Sequence, residues 1–337
     1  MVKKEKVITK VLLIKFLTLR RNFKGGKMKI KAHKKRGIIW VLVIFSLVFL
    51  TGNTQAEEKS RSRFSIKLTG GLGYFYWGDI NTYLESFDDC LSKRTHYKGG
   101  ETRKLNYGLD FEEELRIDLN SKFGIGLSVG PISGECKSKF TYRGPFPLTS
   151  WHSANQSYFF KHAASTIPIK LGGYYTLPLN SKFNLFLNVG LGYYFAKSSF
   201  YKHHLSSSFG PAYVVYTKNE KYDLSSKGLG FHGGVGFEFS IWKNLALVIE
   251  GQGRYVRLKN LKGSKLNSDL FDFRQEQENI GVLYYVEGPL LFYGDESWPD
   301  LVITKIKPSN PDFITIRKAV LDFSGFSLRI GIRMKLF

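Results

Sequence analysis

Residues 105–129 read LNYGLDFEEELRIDLNSKFGIGLSV. Leu105, Tyr107, Leu109, Phe111, Leu115, Ile117 and Leu119 share one phase, and Asn106, Gly108, Asp110, Glu112, Glu114, Arg116 and Asp118 alternate with them. Period two with one apolar face is the signature of a β-strand. Asn120-Ser121-Lys122 turns the chain, and Phe123, Ile125, Leu127 and Val129 resume the alternation against glycines and Ser128. The stretch is a hairpin with a tight end. It recurs almost literally, because Leu119-Asn120-Ser121-Lys122-Phe123 is matched by Leu179-Asn180-Ser181-Lys182-Phe183.

The same alternation runs from Phe64 to Tyr76, from Ile167 to Leu177, and from Phe183 to Phe195. A looser copy, Leu229 to Ile241, turns at Trp242-Lys243-Asn244 into Leu245, Leu247 and Ile249. Phe326 to Leu336 closes the series, giving one strand, three hairpins and one more strand: eight in all. The connections near 120, 180 and 243 are tight, whereas 77–104, 131–163, 197–227 and 257–320 are long. Tight turns at one end and long loops at the other describe an all-β fold, an eight-stranded antiparallel transmembrane β-barrel. Its short turns would be periplasmic and its four long loops extracellular. The charges share one face with Gly124, Gly126, Gly190, Gly192, Gly234 and Gly236, so that face is expected to line a narrow interior.

The chain has 337 residues, with 50 Lys+Arg against 28 Asp+Glu, and only 2 Cys. A mean hydropathy of −0.19 with a single long apolar run argues against a polytopic helical membrane protein, and two cysteines are too few for a disulfide-built scaffold. Lys29–Arg36 is basic, Gly37–Leu50 is a short apolar run, and Thr51–Ala56 is small and polar. That order reads as a secretory signal peptide. Met28 begins a tidier signal than Met1, so 1–56 are expected to be an upstream extension plus a cleaved signal, and 57–337 the barrel. An uncleaved anchor is the other reading. Residues 1–56 carry 14 of the basic residues and one acid, leaving 36 against 27, net +9, in the remainder. The remaining charge does not call for a nucleic-acid partner.

In this organisation 62–337 resembles the small outer membrane β-barrel domain proteins of the OmpA-transmembrane, OmpX and OmpW kind. The resemblance is one of architecture and turn pattern. It implies a bacterial outer-membrane location, contact with outer-membrane lipid and lipopolysaccharide, and insertion by the barrel-assembly machinery. Phe337 matches the aromatic C-terminus that serves such proteins as an assembly signal, but it is out of phase with Ile332, Met334 and Leu336. No appended periplasmic domain is expected, and peptidoglycan binding is not implied. The OmpW-like branch suggests a narrow channel for small or hydrophobic solutes. Lipid A-modifying barrels are the enzyme alternative, but no His-x-Ser pair falls on an expected strand.

Other patterns carry less chemistry than they suggest. Gly126-Leu127-Ser128-Val129-Gly130 matches a nucleophile elbow, yet it lies within a strand where strand–turn–helix is required. Gly228–Gly233 matches a dinucleotide fingerprint but runs into another strand. His203-His204 lacks a third ligand and reads as a solvated loop pair. His232 and Glu238 share a strand roughly 20 Å apart, too far to act together. No cofactor, metal or catalytic set is therefore expected. Cys90 and Cys136 fall in neighbouring long loops, and export through an oxidising compartment makes a stapling disulfide the expectation. Tyr74, Tyr76, Trp77, Tyr193, Tyr194, Tyr255 and Trp242 sit near strand ends and read as an interfacial girdle, with a carbohydrate platform as the sharper alternative.

Strand parity points Lys67, Glu112, Glu114, Arg116, Asp118, Lys170, Glu238, Glu250, Arg254, Arg329, Arg333 and Lys335 inward. Unpaired charge in a narrow tube is costly. Glu112, Glu114, Glu238 and Glu250 are therefore expected to bind Lys67, Arg116, Lys170, Arg254 and Arg329 and to plug the lumen, with Asp118 and Lys335 wetted at its ends. The leading expectation is a non-enzymatic protein, acting in structural or surface-interaction roles through its long loops on an extracellular ligand that the sequence does not identify.

Overall fold

The computed structural model describes residues 64–336, apart from 93–96, 102, 147–148, 210–213, 270–276, 290–296 and 310–313. The expected signal region and Phe337 lie outside the described residues. In chain order the elements are β1 (Phe64–Phe75), α1 (Asp79–Ser92), β2 (Tyr97–Glu101), β3 (Tyr107–Asp118), β4 (Phe123–Val129) and β5 (Ile132–Phe146). Then come β6 (Thr149–Pro178), β7 (Phe183–Phe209), β8 (Val214–Trp242), β9 (Leu245–Tyr255), β10 (Arg257–Leu258) and β11 (Lys262–Asp269). The chain finishes with β12 (Gln277–Pro289), β13 (Ser297–Thr304), β14 (Thr315–Lys318), β15 (Leu321–Asp322) and β16 (Gly325–Lys335).

All of the pairings are antiparallel. From β1 the ladder passes to β3, β4, β6, β7, β8, β9 and β16, and β16 pairs back onto β1, so the path closes. Further strands attach to it. β5 fills the place beyond the end of β4 by pairing with β3 and β6, and β2 edges β5. On the other side β11, β12 and β13 continue outward from β8.

The repeated turns have a local cause. Asn120 Oδ1 accepts from the backbone N–H groups of Lys122 and Phe123, each at 2.8 Å. Asn180 Oδ1 does the same for Lys182 and Phe183, at 2.9 and 2.8 Å. An asparagine that mimics a backbone turn holds both hairpin ends. The third turn works differently, through a bulge between Ser240 and Trp242.

At the other end the strands continue where loops are expected. β6, β7 and β8 contain 30, 27 and 29 residues, although about 9–11 suffice to cross a bilayer. Their continuous outward apolar alternation stops at Ile167, Phe195 and Leu229, and beyond it only scattered outward side chains such as Phe159, Tyr201 and Leu205 are apolar. Beyond these positions the sheet is an extension whose outer face is mostly polar. Residues 131–163 and 197–227 are therefore largely strand, because backbone pairing persists after the apolar alternation has faded. Lys202-His203-His204-Leu205-Ser206-Ser207-Ser208 shows the loss of pattern.

The first long connection also differs from a loop. In α1, Ile80, Tyr83, Leu84 and Phe87 recur at helical spacing and all are buried. The chain enters it through Trp77 and Gly78, both at positive φ, where a Cβ on Gly78 would lie 2.2 Å from the Val320 carbonyl oxygen. Arg317 binds both carboxylate oxygens of Asp79, and the Val320 N–H donates to Asp79 Oδ2 at 2.7 Å. These contacts tie the start of the helix to the segment around β14.

The outward phase of the belt is apolar, glycine or aromatic among the described residues, except at Glu113. Glu113 is exposed on β3 and stands opposite Leu68 and Val129. A carboxyl group at mid-belt is unfavourable against lipid. Glu113→Leu is expected to raise the urea midpoint in lipid vesicles, by about 1–2 kcal/mol in stability. A lowered midpoint would mean that Glu113 meets a polar partner rather than lipid.

Candidate functional site: a charged interior beneath an aromatic cap

The nine charged residues assigned to the interior from the sequence, Lys67, Glu112, Glu114, Arg116, Lys170, Glu238, Glu250, Arg254 and Arg329, are all buried. β1 and its neighbours bring most of them together. Lys67 Nζ lies 3.1 Å from Glu112, 2.8 Å from Glu114 and 2.7 Å from Glu250. Arg329 binds Glu112 at 2.9 and 3.2 Å and also binds Glu250. Lys170 binds Glu112 and reaches Gln252 at 3.3 Å. Arg116 stands slightly apart, paired with Asp118 at 2.6 Å and donating to Thr176 at 2.7 Å.

Three participants lay outside the expected network. Asp110 binds Arg254 and accepts from Ser327 Oγ at 2.6 Å. Arg333 bridges Glu238 and Glu114, the latter at 3.4 Å. Tyr174 donates to Glu114 and lies 5.0 Å beneath the Arg116 guanidinium. Parity alone would have included Asp110, which shares the phase of Glu112 and Glu114. Six cations face five carboxylates in the buried set, and Asp118, partly exposed beside Arg116, evens the count. A balanced interior does not build the single-sign ring of an ion-selective pore.

Inward glycines make room for this chemistry. A Cβ on Gly236 would meet Phe186 at 2.3 Å and Glu250 at 2.8 Å, and one on Gly192 would meet Lys170 at 2.9 Å.

Above the charges lies an apolar layer. Tyr83 and Phe87 of α1 pack with Phe140, Phe160 and Phe200, at ring separations between 5.0 and 6.2 Å. Lys202 enters this layer, reaches the Tyr83 hydroxyl at 3.1 Å and lies 5.7 Å from the Phe87 ring centre. Burial opposes ionisation of Glu220, but Lys202, then Lys265 and Lys218, outweigh it and hold the carboxyl down to about 2. Burial alone pushes His162 down to about 3.

The structure alters several other expectations. Trp77 and Tyr194 are buried inside rather than in a girdle, while Tyr74, Tyr76, Tyr255 and Trp242 face outward. His203 and His204 sit on β7, not on a loop: His203 Nδ1 is 2.7 Å from Asn219 Oδ1, and His204 stacks on Tyr158 at 4.2 Å. Ser128 and His232, by contrast, are buried within β4 and β8, where the strand reading of both motifs puts them. Cys136 is a free thiol, half-buried against the aromatic layer, where the sequence reading paired it with Cys90. The side chain of Cys90 lies outside the described residues.

An apolar outer belt around an interior of buried charged side chains is the arrangement of an integral β-barrel of a membrane. The sequence pattern of the outer membrane protein beta-barrel domain matches residues 42–284, and the chain belongs to that family. Its place is the bacterial outer membrane. Among solved structures the chain is similar to Neisserial surface protein A, at 9% identity and a TM-score of 0.32, over 82% of this chain and 100% of that one. It is also similar to Ail, the attachment invasion locus protein of Yersinia pestis, at 12% identity and a TM-score of 0.26, over 80% and 98% of the two chains. No curated protein matches the chain.

Proposed function

We propose that the protein is a sealed, non-enzymatic outer-membrane barrel that presents a β-extension at the cell surface. In this reading eight strands cross the membrane, the three short turns are periplasmic, and the four long connections form the extracellular part. Residues 1–56 are removed on export, the barrel-assembly machinery inserts the remainder among outer-membrane lipid and lipopolysaccharide, and the extension meets an extracellular ligand. One observation carries the reading: the buried ion pairs centred on Lys67 occupy the interior, beneath the side chains of α1. A solute would have to displace both layers. The narrow-channel alternative requires that cluster to be broken.

Planar-bilayer recording tests the seal. The folded protein is expected to leave membrane conductance at its baseline. Steady single-channel steps with passage of a small solute would overturn the proposal.

A further inference from the structure

A groove of about 980 Å³ opens on the outer face where the apolar belt ends. Its foot is Leu72, Tyr107 and Leu109, outward side chains at the top of the belt. Its wall is a single cross-strand row, in which Ser165 of β6 stands opposite Lys197 of β7, Lys197 opposite Ser225 of β8, and Ser225 opposite Lys262 of β11. Lys197 is two residues beyond Phe195, the last belt side chain of β7. The row therefore lies at headgroup depth.

The charges of the groove are asymmetric. Its two acids are already bound: Glu135 by Lys161 at 3.2 Å and Lys137 at 3.5 Å, and Asp223 by Lys221 at 2.8 Å. Lys197 and Lys262 are exposed and have no carboxylate partner among the described residues. Two strand spacings, about 10 Å, separate them across Ser225, whose short side chain leaves the space between them open.

We propose that this groove holds the phosphorylated headgroup of an outer-leaflet lipid. The two ammonium groups take the phosphate above Ser225, whose Oγ donates to the Lys262 carbonyl oxygen at 3.4 Å, and Leu72, Tyr107 and Leu109 take an acyl chain. An amphiphile answers both halves of the site, whereas a soluble anion leaves the apolar foot unused. The inference rests on the reading that the extension stands outside the bilayer, directly above the belt.

The test uses the full chain in phosphatidylcholine nanodiscs containing diphosphorylated lipid A, with bound lipid counted by native mass spectrometry. Lys197→Gln with Lys262→Gln is expected to lower lipid A retention roughly 20- to 30-fold, from about fivefold per surface lysine. Lys122→Gln with Lys182→Gln, at the tight turns, is expected to leave retention unchanged. Millimolar inorganic phosphate is expected not to displace the lipid. Equal retention by both double variants, or displacement by phosphate, would overturn the proposal. If the groove variant does not fold, acetylation of the wild type reads the same occupancy: lipid A protects Lys197 and Lys262 but not Lys122 or Lys182, and absence of that protection overturns the site. A wild type whose gel mobility does not change on heating would instead overturn the barrel reading.

Discussion

Replacing Lys67 with methionine is expected to destabilise the barrel by about 3–5 kcal/mol, the usual consequence of removing one partner from a buried ionic cluster. Its ammonium is fully buried within 3.1 Å of three carboxylates. The carboxylates are not equally supported once it is gone. Glu112 keeps Lys170 and Arg329, and Glu250 keeps Arg329. Among the described residues Glu114 retains a 3.4 Å contact with Arg333 and the Tyr174 hydroxyl. Most of the loss should therefore fall on Glu114, and adding Glu114→Gln to the Lys67 variant should recover at least about 1 kcal/mol, as coupled neighbours do. Lys122→Met, at an exposed turn, is expected to stay within about 0.5 kcal/mol of wild type. Urea unfolding in lipid vesicles reads all four proteins. A loss below about 1 kcal/mol for the Lys67 variant would mean that water already screens the cluster. The narrow-channel reading would then gain what the sealed reading loses.

The sequence carried the belt and the interior well because a membrane imposes period two without relief. Lipid on one side and a narrow interior on the other fix the phase of every strand, so Lys67 and Arg329 could be placed inward from parity alone. The Asn-Ser-Lys repeat was equally readable, since one side chain holds each turn. Above the belt that constraint ends. Both faces of β6, β7 and β8 carry polar residues there, and strand reads as loop although the pairing continues. The helix had a usable signal in Ile80, Tyr83, Leu84 and Phe87, obscured by the strand logic on both sides of it. The girdle misled for a related reason: Tyr193 and Tyr194 are adjacent, so only one of them can face lipid.

Acidification is expected to loosen the extension before the belt. His162 lies on the buried face of β6, with Nε2 3.2 Å from Ser198 Oγ and Phe200 across the ladder. Burial holds it to about 3 in the folded protein, while an unfolded histidine titrates near 6.5. Because the folded value is the lower one, the unfolded chain binds the proton first. The contribution of His162 is complete above about pH 6.5 and is lost as pH falls toward 3, amounting to about 3 kcal/mol by pH 4. Two neighbours act in the same direction. Burial, with Lys202 and Lys218, depresses His204 to about 4, so its contribution also fades below about pH 6.5. Glu220, held to about 2 by its lysines, loses its contribution as pH falls below its usual carboxylate range. Amide hydrogen exchange should show faster exchange in 197–209 and 214–228 at pH 4 than at pH 7, after correction for intrinsic rates, while 183–195 stays protected. His162→Phe should remove the largest part of that difference. Equal protection of the extension at both pH values would show that His162 is hydrated rather than buried, and the packing of the aromatic cap would have to be redrawn around it.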